Sequence, residues 1–308
     1  MLVLDSKAGP IRSLAFTPCG QRLGLITKRT GGLLIWDDFG TGGSRRILGG
    51  GGPLADRVRF SADARRVGLK HEDGRPVVFD LAGGAVVNST RSGDLLIEGE
   101  MTPDGAAVVM VENQRPWVSP SVDTFRLTCR PVDPSTRNPT RWAIDSPYGC
   151  LGEFAFPSGG SEVVSIEVVD QGLLRFVRRD LATGVVVAAP GGFPTGVRRP
   201  TAGPDSHVAG IGTNWIVTWA GDDGEHVFPW KNSTARQFTD IAFHPAAAVV
   251  AATNLDPTVR LYDATTGRVV RTYDWQVGKL RCVAFSPDGQ LAAAGSDSGK
   301  IVVWDVDL

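Results

Sequence analysis

The sequence contains few groups of residues that could carry out catalysis. The segment KHEDG places His71, Glu72 and Asp73 side by side, and all three side chains can ligate metal ions. Three adjacent residues rarely converge on one ion, so a solvated turn is the favoured interpretation. The GGGGP stretch at 49–53 is not followed by Lys-Ser/Thr or by a helix, and neither G-x-S-x-G nor H-E-x-x-H occurs. The sequence therefore predicts no catalytic residue, no metal site and no cofactor.

Residues suited to recognition are more prominent. Cations that could hold an acidic peptide or a phosphate through charge-assisted hydrogen bonds are Arg12, Lys28, Arg29, Arg198 and Arg281. Residue types that dominate the energetics of interfaces are present as Arg115, Trp117, Tyr148 and Trp275. Whether these residues act together depends on the strands and turns that position them.

The composition restricts the class of protein. With 38 Gly and 20 Pro in 308 residues and no sustained helical spacing of apolar residues, the chain is predicted to be all-β with many tight turns. Its net charge of -1 gives no bulk attraction to nucleic acid or to an anionic membrane. A membrane is therefore not expected as a partner, and nucleic acid is a third option that would need a local basic patch. The sequence shows neither a signal peptide nor a membrane span, and its four scattered cysteines are typical of free thiols. We therefore expect a cytoplasmic protein.

One pattern repeats along the chain. The segments SLAFTPCGQRLGLITKRTGGLLIWDD and CVAFSPDGQLAAAGSDSGKIVVWDV share an apolar strand ending in Ala-Phe, a Pro/Gly turn, a second strand, a polar loop and a Trp-Asp strand. Five further copies lie between them. Equivalent positions, 41–55 residues apart, are Phe16, Phe60, Met101, Phe156, Ala202, Phe243 and Phe285. A period of roughly 40–45 residues is typical of four-stranded propeller blades.

These motifs resemble the WD-repeat β-propeller family, and the resemblance extends over the whole chain. It implies a single domain, residues 1–308, with the fold of a seven-bladed β-propeller. The blades are predicted at 11–48, 55–90, 95–144, 151–190, 197–230, 236–275 and 280–308. The last copy lacks a fourth strand, and MLVLDSK at 1–7 has the alternation of an outer strand. We therefore expect the N-terminal strand to close the last blade and cover its open edge.

One feature departs from the family pattern. The family fixes each blade with hydrogen bonds among a His before the first strand, a Ser/Thr, an Asp and the Trp. Here Ser296, Asp297 and Trp304 could supply three members for the last blade, but no His precedes any repeat. We therefore expect the blades to depend more on apolar packing.

The resemblance also implies a binding face. The top face of the propeller is the face that carries the loops joining blades and the loops between second and third strands. In this family, partners most often bind the top face and the channel mouth. Residues four before the repeat positions lie at this mouth and include Arg12, Arg198 and Arg281. Lys28 and Arg29, in a top loop of the first blade, extend them into a basic arc. The alternative is that these arginines pair with neighbouring carboxylates such as Asp297, because arginines in repeat proteins commonly link one blade to the next.

Blade three carries the longest insertions, and insertions in repeat proteins often carry individual function. Arg115 and Trp117 lie in its top-face loop, Tyr148 ends its second inserted stretch, and Trp275 comes from another top loop. The alternative is that Trp117 folds back to cover a weak blade.

The sequence thus predicts a non-catalytic interaction scaffold that presents its top loops and channel mouth to a protein or an acidic peptide. The alternative is a propeller hydrolase or lactonase with a metal in the channel. That site would need carboxylates and histidines from several blades, whereas Asp56 alone is acidic among the mouth positions and none is His. The sequence leaves open the identity of the partner, the oligomeric state and whether the chain is a module of a larger protein.

Overall fold

The computed structural model describes residues 1–28, 33–37, 39, 45–48, 54–71, 74–89, 96–113, 125–133, 140–146, 150–157, 159–168, 173–189, 192–193, 196–220, 226–231 and 236–308. Its regular structure over these ranges consists of 28 strands in seven antiparallel sheets of four strands each. Neighbouring inner strands pack together around a central channel. The fold is a seven-bladed β-propeller, as the sequence predicts. Within the same ranges, no helix has the length and apolar character needed to cross a membrane.

Each blade contributes its strands in order from the channel outward. Blades one and two comprise β2 (Ile11–Phe16), β3 (Arg22–Thr27), β4 (Leu33–Asp37) and β5 (Arg45–Leu48), then β6 (Leu54–Phe60), β7 (Arg66–His71), β8 (Pro76–Asp80) and β9 (Val86–Ser89). Blades three and four comprise β10 (Leu96–Met101), β11 (Ala107–Asn113), β12 (Phe125–Pro131) and β13 (Trp142–Ser146), then β14 (Cys150–Ala155), β15 (Glu162–Val168), β16 (Leu174–Asp180) and β17 (Val186–Ala188).

The remaining blades follow the same plan. Blades five and six comprise β18 (Arg198–Ala202), β19 (Val208–Ile211), β20 (Trp215–Ala220) and β21 (His226–Lys231), then β22 (Phe238–Phe243), β23 (Val249–Asn254), β24 (Thr258–Asp263) and β25 (Val269–Asp274). Blade seven comprises β26 (Leu280–Phe285), β27 (Leu291–Ser296), β28 (Lys300–Asp305) and, outermost, β1 (Leu2–Asp5).

The hydrophobic core lies between neighbouring sheets. In blades two and three, the large repeat residue near the end of the inner strand packs against the preceding blade, where a glycine leaves room for it. A Cβ at Gly24 would lie 2.6 Å from the ring of Phe60, and a Cβ at Gly68 would lie 2.6 Å from Met101. Because interiors are close-packed, these glycines allow the neighbouring sheets to approach closely.

The turns between first and second strands are held by a repeated hydrogen-bond arrangement on the face opposite the top, called here the bottom face. In blade seven, the Ser286 hydroxyl donates to Asp288 (2.5 Å) and accepts from the N–H of Leu291 (2.9 Å). Thr102 and Asp104 pair in the same way in blade three. Side chains of this kind satisfy the turn backbone locally, which explains the Pro/Asp/Gly pattern of the repeats.

Blade seven does not form the hydrogen-bonded set of the family among its described residues, and aromatic packing takes its place. Ser296 bonds within its own loop, to Ser298 and Lys300. The indole N–H of Trp304 has no hydrogen-bond partner among the described residues, and its ring packs against Trp275 at a centroid distance of 4.6 Å. The seam between blades six and seven therefore depends on ring contacts.

The N-terminal strand closes blade seven, which confirms the prediction. Leu2 pairs with Val303 and Asp5 pairs with Lys300 in an antiparallel register. Leu4 is 6% exposed, whereas its neighbour Val3 is 46% exposed, so one face of the short strand belongs to the core.

Removal of residues 1–8 should lower the midpoint of thermal unfolding by several degrees, because β28 would become an open edge and the packing of Leu4 would be lost. Circular dichroism during heating measures this midpoint. An unchanged midpoint would show that the strand does not close the ring.

A matched pair of substitutions in β1 tests whether its buried face contributes to the core more than its exposed face does. Leu4→Ala should lower the free energy of unfolding by about 2–3 kcal/mol, whereas Val3→Ala should change it by less than about 0.5 kcal/mol. Urea denaturation provides both values, and equal effects would contradict the placement of β1.

Candidate functional site

The top ends of the seven inner strands share a β-bulge. In each blade, the pairing of the first strand with the second shifts near the top of the sheet, by two extra residues in blades two and four and by one extra residue in the other five blades. In blades one, six and seven the extra residue is Arg12, Thr239 and Arg281. A bulge breaks the strict alternation of a strand and re-aims a side chain. The mouth positions predicted from the sequence therefore lie within these bulges, except Arg198, which pairs with Ile211 and directly precedes the bulge of blade five.

The bulged segments of blades one, five, six and seven line a cavity of about 410 Å³ at the top mouth of the channel. The cavity brings together four of the predicted cations, Arg12, Lys28, Arg198 and Arg281, from blades one, five and seven. Arg199 is a fifth cation in its wall, and Asp297 is the acidic residue in the same lining. We refer to this cavity as the mouth basin.

Most of the positive charge in the mouth basin is uncompensated. The side chains of Arg12, Lys28 and Arg281 have no hydrogen-bond or ion-pair partner among the described residues. Arg198 donates from one nitrogen to the carbonyl oxygen of Phe238 at 3.0 Å.

The suggested pairing of these arginines with Asp297 is wrong for the described residues. The Asp297 carboxylate instead accepts from the backbone N–H of Lys279 at 3.1 Å, and Lys279 and Asp297 also share a backbone hydrogen bond. Asp297 therefore holds a top loop in place and leaves the basin cationic.

Arg57, which sequence reasoning did not select, crosses the channel below the basin. From blade two, its guanidinium donates to the carbonyl oxygen of Phe154 in blade four at 2.7 Å and to that of Pro200 in blade five at 3.2 Å. It also lies 3.5 Å from Glu100 in blade three. A single side chain thus links four blades and spans the channel.

Around Arg57, the channel wall contains ion pairs between neighbouring blades. Glu100 accepts from Arg59 at 2.7 and 2.9 Å, and Arg199 pairs with Asp240 at 3.3 Å. Lys70 of blade two also pairs with Glu98 of blade three. Below the mouth basin, the channel continues as a cavity of about 230 Å³ whose wall includes several of these groups. The charges inside the channel are thus paired, in contrast to those at its mouth.

The other predicted interface residues do not join the mouth basin. Trp275 is half-buried and stacks on Tyr273 at 5.3 Å while packing on Trp304, so it belongs to the packing between blades six and seven. Its role in partner binding stays a prediction. Arg29, Arg115, Trp117 and Tyr148 lie outside the described residues. The sequence signal for Arg57 and Glu100 was weak, because their roles depend on reach across the channel rather than on repeat position.

Within the described part of the chain, no group of three His, Cys, Asp or Glu side chains could hold a metal ion. All four cysteines are free thiols, and only Cys19 is exposed.

Comparison with known proteins identifies one repeat directly. A family model described as WD domain, G-beta repeat matches residues 267–305. This range covers the outer strand of blade six and the first three strands of blade seven.

Three relatives extend the comparison. The WD repeat-containing protein SL1-17 of Schistosoma mansoni is 30% identical over 102 residues, covering 30% of this chain and 34% of that protein. The serine-threonine kinase receptor-associated protein of Gallus gallus is 36% identical over 67 residues, covering 22% and 19% of the two chains. Eukaryotic translation initiation factor 3 subunit I of Neurospora crassa is 30% identical over 98 residues, covering 30% and 28%. The matches thus span about a third or less of these relatives' length.

The ion pairs of the channel predict a specific pH dependence. Burial by itself would raise the pKa of the Glu100 carboxyl, but the guanidinium groups of Arg59 and Arg57 outweigh it and hold that pKa below its ordinary value. A lowered folded-state pKa stabilises the fold above the unfolded-state pKa of about 4.3, and this contribution is lost as the pH falls through the folded-state pKa. The free energy of unfolding of the natural chain should therefore fall as the pH decreases below about 4.3.

Glu100→Gln should weaken this dependence and should lower stability at pH 7 by on the order of 2–3 kcal/mol, since two arginines lose their charged partner. Urea denaturation from pH 3 to pH 7 measures both effects. Asp145→Asn is the control, because Asp145 pairs with Arg126 at the exposed surface and should contribute little. If the free energy of unfolding of Glu100→Gln and that of the natural chain changed in parallel with pH, Glu100 would not be the source of the pH dependence.

Proposed function

We propose that this chain, which belongs to the WD-repeat β-propeller family, is a non-catalytic interaction scaffold whose mouth basin binds an acidic segment of a protein partner. The observation that carries the proposal is the convergence of Arg12, Lys28, Arg198 and Arg281 on one cavity. Three of these cations have no partner among the described residues. An anionic group entering the basin would supply the missing charge and hydrogen-bond acceptors.

The strands that carry these cations favour binding without large rearrangement. Arg12, Arg198 and Arg281 lie on inner strands that are paired in their own sheets and packed against neighbouring blades. A preorganised site loses less conformational entropy on binding than a mobile loop does. The rigid ring therefore supports recognition of a short anionic segment.

The net charge of the chain argues for a local interaction. Because the whole chain carries a net charge of -1, long-range attraction to a polyanion such as nucleic acid is weak. The positive charge is concentrated in a cavity of about 410 Å³, which suits a peptide segment better than a duplex. We therefore propose a protein partner, in the cytoplasmic setting expected from the sequence.

The names of the relatives are consistent with this proposal. One relative is described as receptor-associated and another as a subunit of an initiation factor, and both descriptions refer to assembly with other proteins. For this chain, a scaffold role remains our proposal, and the partner is defined here by its chemistry alone.

Reversal of charge in the mouth basin should abolish partner binding without unfolding the ring. The variant that combines Arg12→Glu with Arg281→Glu should no longer capture the proteins that the natural chain captures from its source cells. The two substitutions place negative charge in the basin, which repels an acidic segment. Quantitative mass spectrometry of the captured proteins measures the loss. Crosslinking through Lys28 identifies those bound at the mouth.

Arg268→Glu is the matched control, because Arg268 is exposed in a bottom-face turn of blade six. This control should capture the same proteins as the natural chain, and capture should weaken as salt rises from about 0.05 to 0.5 M because exposed charges are screened. Equal capture by the double variant and by the natural chain would refute the mouth basin as the binding site.

A further inference from the structure

Blade five has an unusual inner strand. In β18, Arg198 pairs with Ile211 and Thr201 pairs with Ala209, so the bulge lies between them. Within it, Arg199 adopts a φ of 52°, a left-handed conformation that residues other than Gly, Asn and Asp seldom adopt.

This conformation places two successive arginines in the same cavity wall. Side chains of adjacent residues in a regular strand point to opposite faces of the sheet, yet Arg198 and Arg199 both line the mouth basin. The left-handed turn at Arg199 accounts for the exception, since a bulge re-aims the side chains that flank it. The bulge thus lets Arg198 line the basin while Arg199, in the same wall, pairs with Asp240.

Contacts from three other blades hold the bulge. The N–H of Arg199 donates to the carboxylate of Glu153 in blade four, and its guanidinium pairs with Asp240 of blade six at 3.3 Å. The next carbonyl, that of Pro200, accepts from Arg57 of blade two at 3.2 Å. Unfavourable backbone conformations persist where the surroundings over-determine them, and they cluster at functional sites.

The contacts around the bulge leave Arg198 available to a ligand. It donates only to the carbonyl oxygen of Phe238, and its remaining N–H groups have no partner among the described residues. Arg199, by contrast, is engaged by Asp240. The two arginines therefore have different roles: Arg198 can contact a ligand, and Arg199 positions it.

We infer that the blade-five bulge is a preformed oxyanion-binding element in which Arg198, together with Arg12 and Arg281, binds a carboxylate or a phosphomonoester of the ligand. Planar guanidinium groups bind such oxyanions through paired hydrogen bonds. Arg57 spans the channel directly below the basin, so the oxyanion must enter from the top face. It is carried either by a side chain of the partner or by the partner's chain terminus. This inference rests on the proposed function and names the group that the basin recognises.

Two substitutions at Arg199 isolate the role of its backbone conformation. Arg199→Gly and Arg199→Val both remove the guanidinium and its ion pair with Asp240, but only Gly adopts positive φ without a steric penalty. Both variants should bind anionic peptides more weakly than the natural chain. The Gly variant should bind at least about fivefold more tightly than the Val variant, because Val disfavours the bulge that directs Arg198 into the basin.

Fluorescence anisotropy at low ionic strength measures these affinities. The probes are labelled peptides of equal length, one rich in Glu, one with a phosphoserine among neutral residues and one rich in Gln. Arg198→Ala should weaken binding of an anionic peptide at least about tenfold, and the Gln peptide should not bind. Tighter binding of the phosphoserine peptide would assign the oxyanion to a phosphomonoester, and tighter binding of the Glu peptide would assign it to carboxylates.

Several results would overturn the inference. These are equal affinities of the Gly and Val variants, unchanged affinity after Arg198→Ala, comparable binding of the Gln peptide, or no binding of either anionic peptide at millimolar concentration. Should Arg199→Val fail to fold, as judged by circular dichroism, Arg199→Asn and Arg199→Ala provide a second pair, because Asn tolerates positive φ better than Ala. Loss of binding in Arg12→Glu with Arg281→Glu, together with equal Gly and Val variants, would retain the proposed function and reject the bulge as its determinant.

Discussion

The guanidinium group of Arg57 organises the centre of the propeller. It donates to carbonyl oxygens of blades four and five and lies beside Glu100 of blade three. A cation placed inside a protein is costly unless it is paired and its N–H groups are bonded. In this channel, both requirements are met only if four blades stand in their correct positions. Arg57 therefore makes the stability of each of these four blades depend on the position of the other three.

The mouth basin depends on the same closure. Inside the channel, Arg59 and Arg199 pair with carboxylates of neighbouring blades. At the mouth, Arg12, Lys28 and Arg281 remain without such partners among the described residues. Like charges held close together repel one another, and the rigid strands that hold them supply the opposing free energy. An anion that binds at the mouth relieves this repulsion, so the arrangement of the ring favours the ligand class proposed here.

The repeating parts of the fold were predictable from the sequence because they are periodic. The large residues at the ends of inner strands, the Pro/Asp/Gly turns and the closing strand at Leu2–Asp5 all follow from the spacing of the repeats. The mouth positions were also predictable. The repeat register identified Arg12, Arg198 and Arg281, and the structure places all three in one cavity.

The roles of Arg57 and Arg199 were not predictable from the sequence, because neither role recurs from one repeat to the next. Arg57 acts through the length of its side chain, which reaches blades that the sequence places 97 and 143 residues away. Arg199 depends on a left-handed residue inside a strand, and no alternation of apolar and polar residues indicates such a position. The pairing of the mouth arginines with Asp297 was a reasonable expectation from proximity along the ring. It was wrong because Asp297 is engaged by the backbone of Lys279.

A crystal structure of the chain grown with selenate would test the oxyanion site at the channel mouth, since anomalous scattering locates this oxyanion without ambiguity. We expect selenate in the mouth basin, hydrogen-bonded to Arg198, with Arg57 below it still bonded to the carbonyl oxygens of Phe154 and Pro200. A mouth basin without selenate, in crystals that bind selenate elsewhere, would contradict the site. A channel left open by withdrawal of Arg57 would contradict it equally.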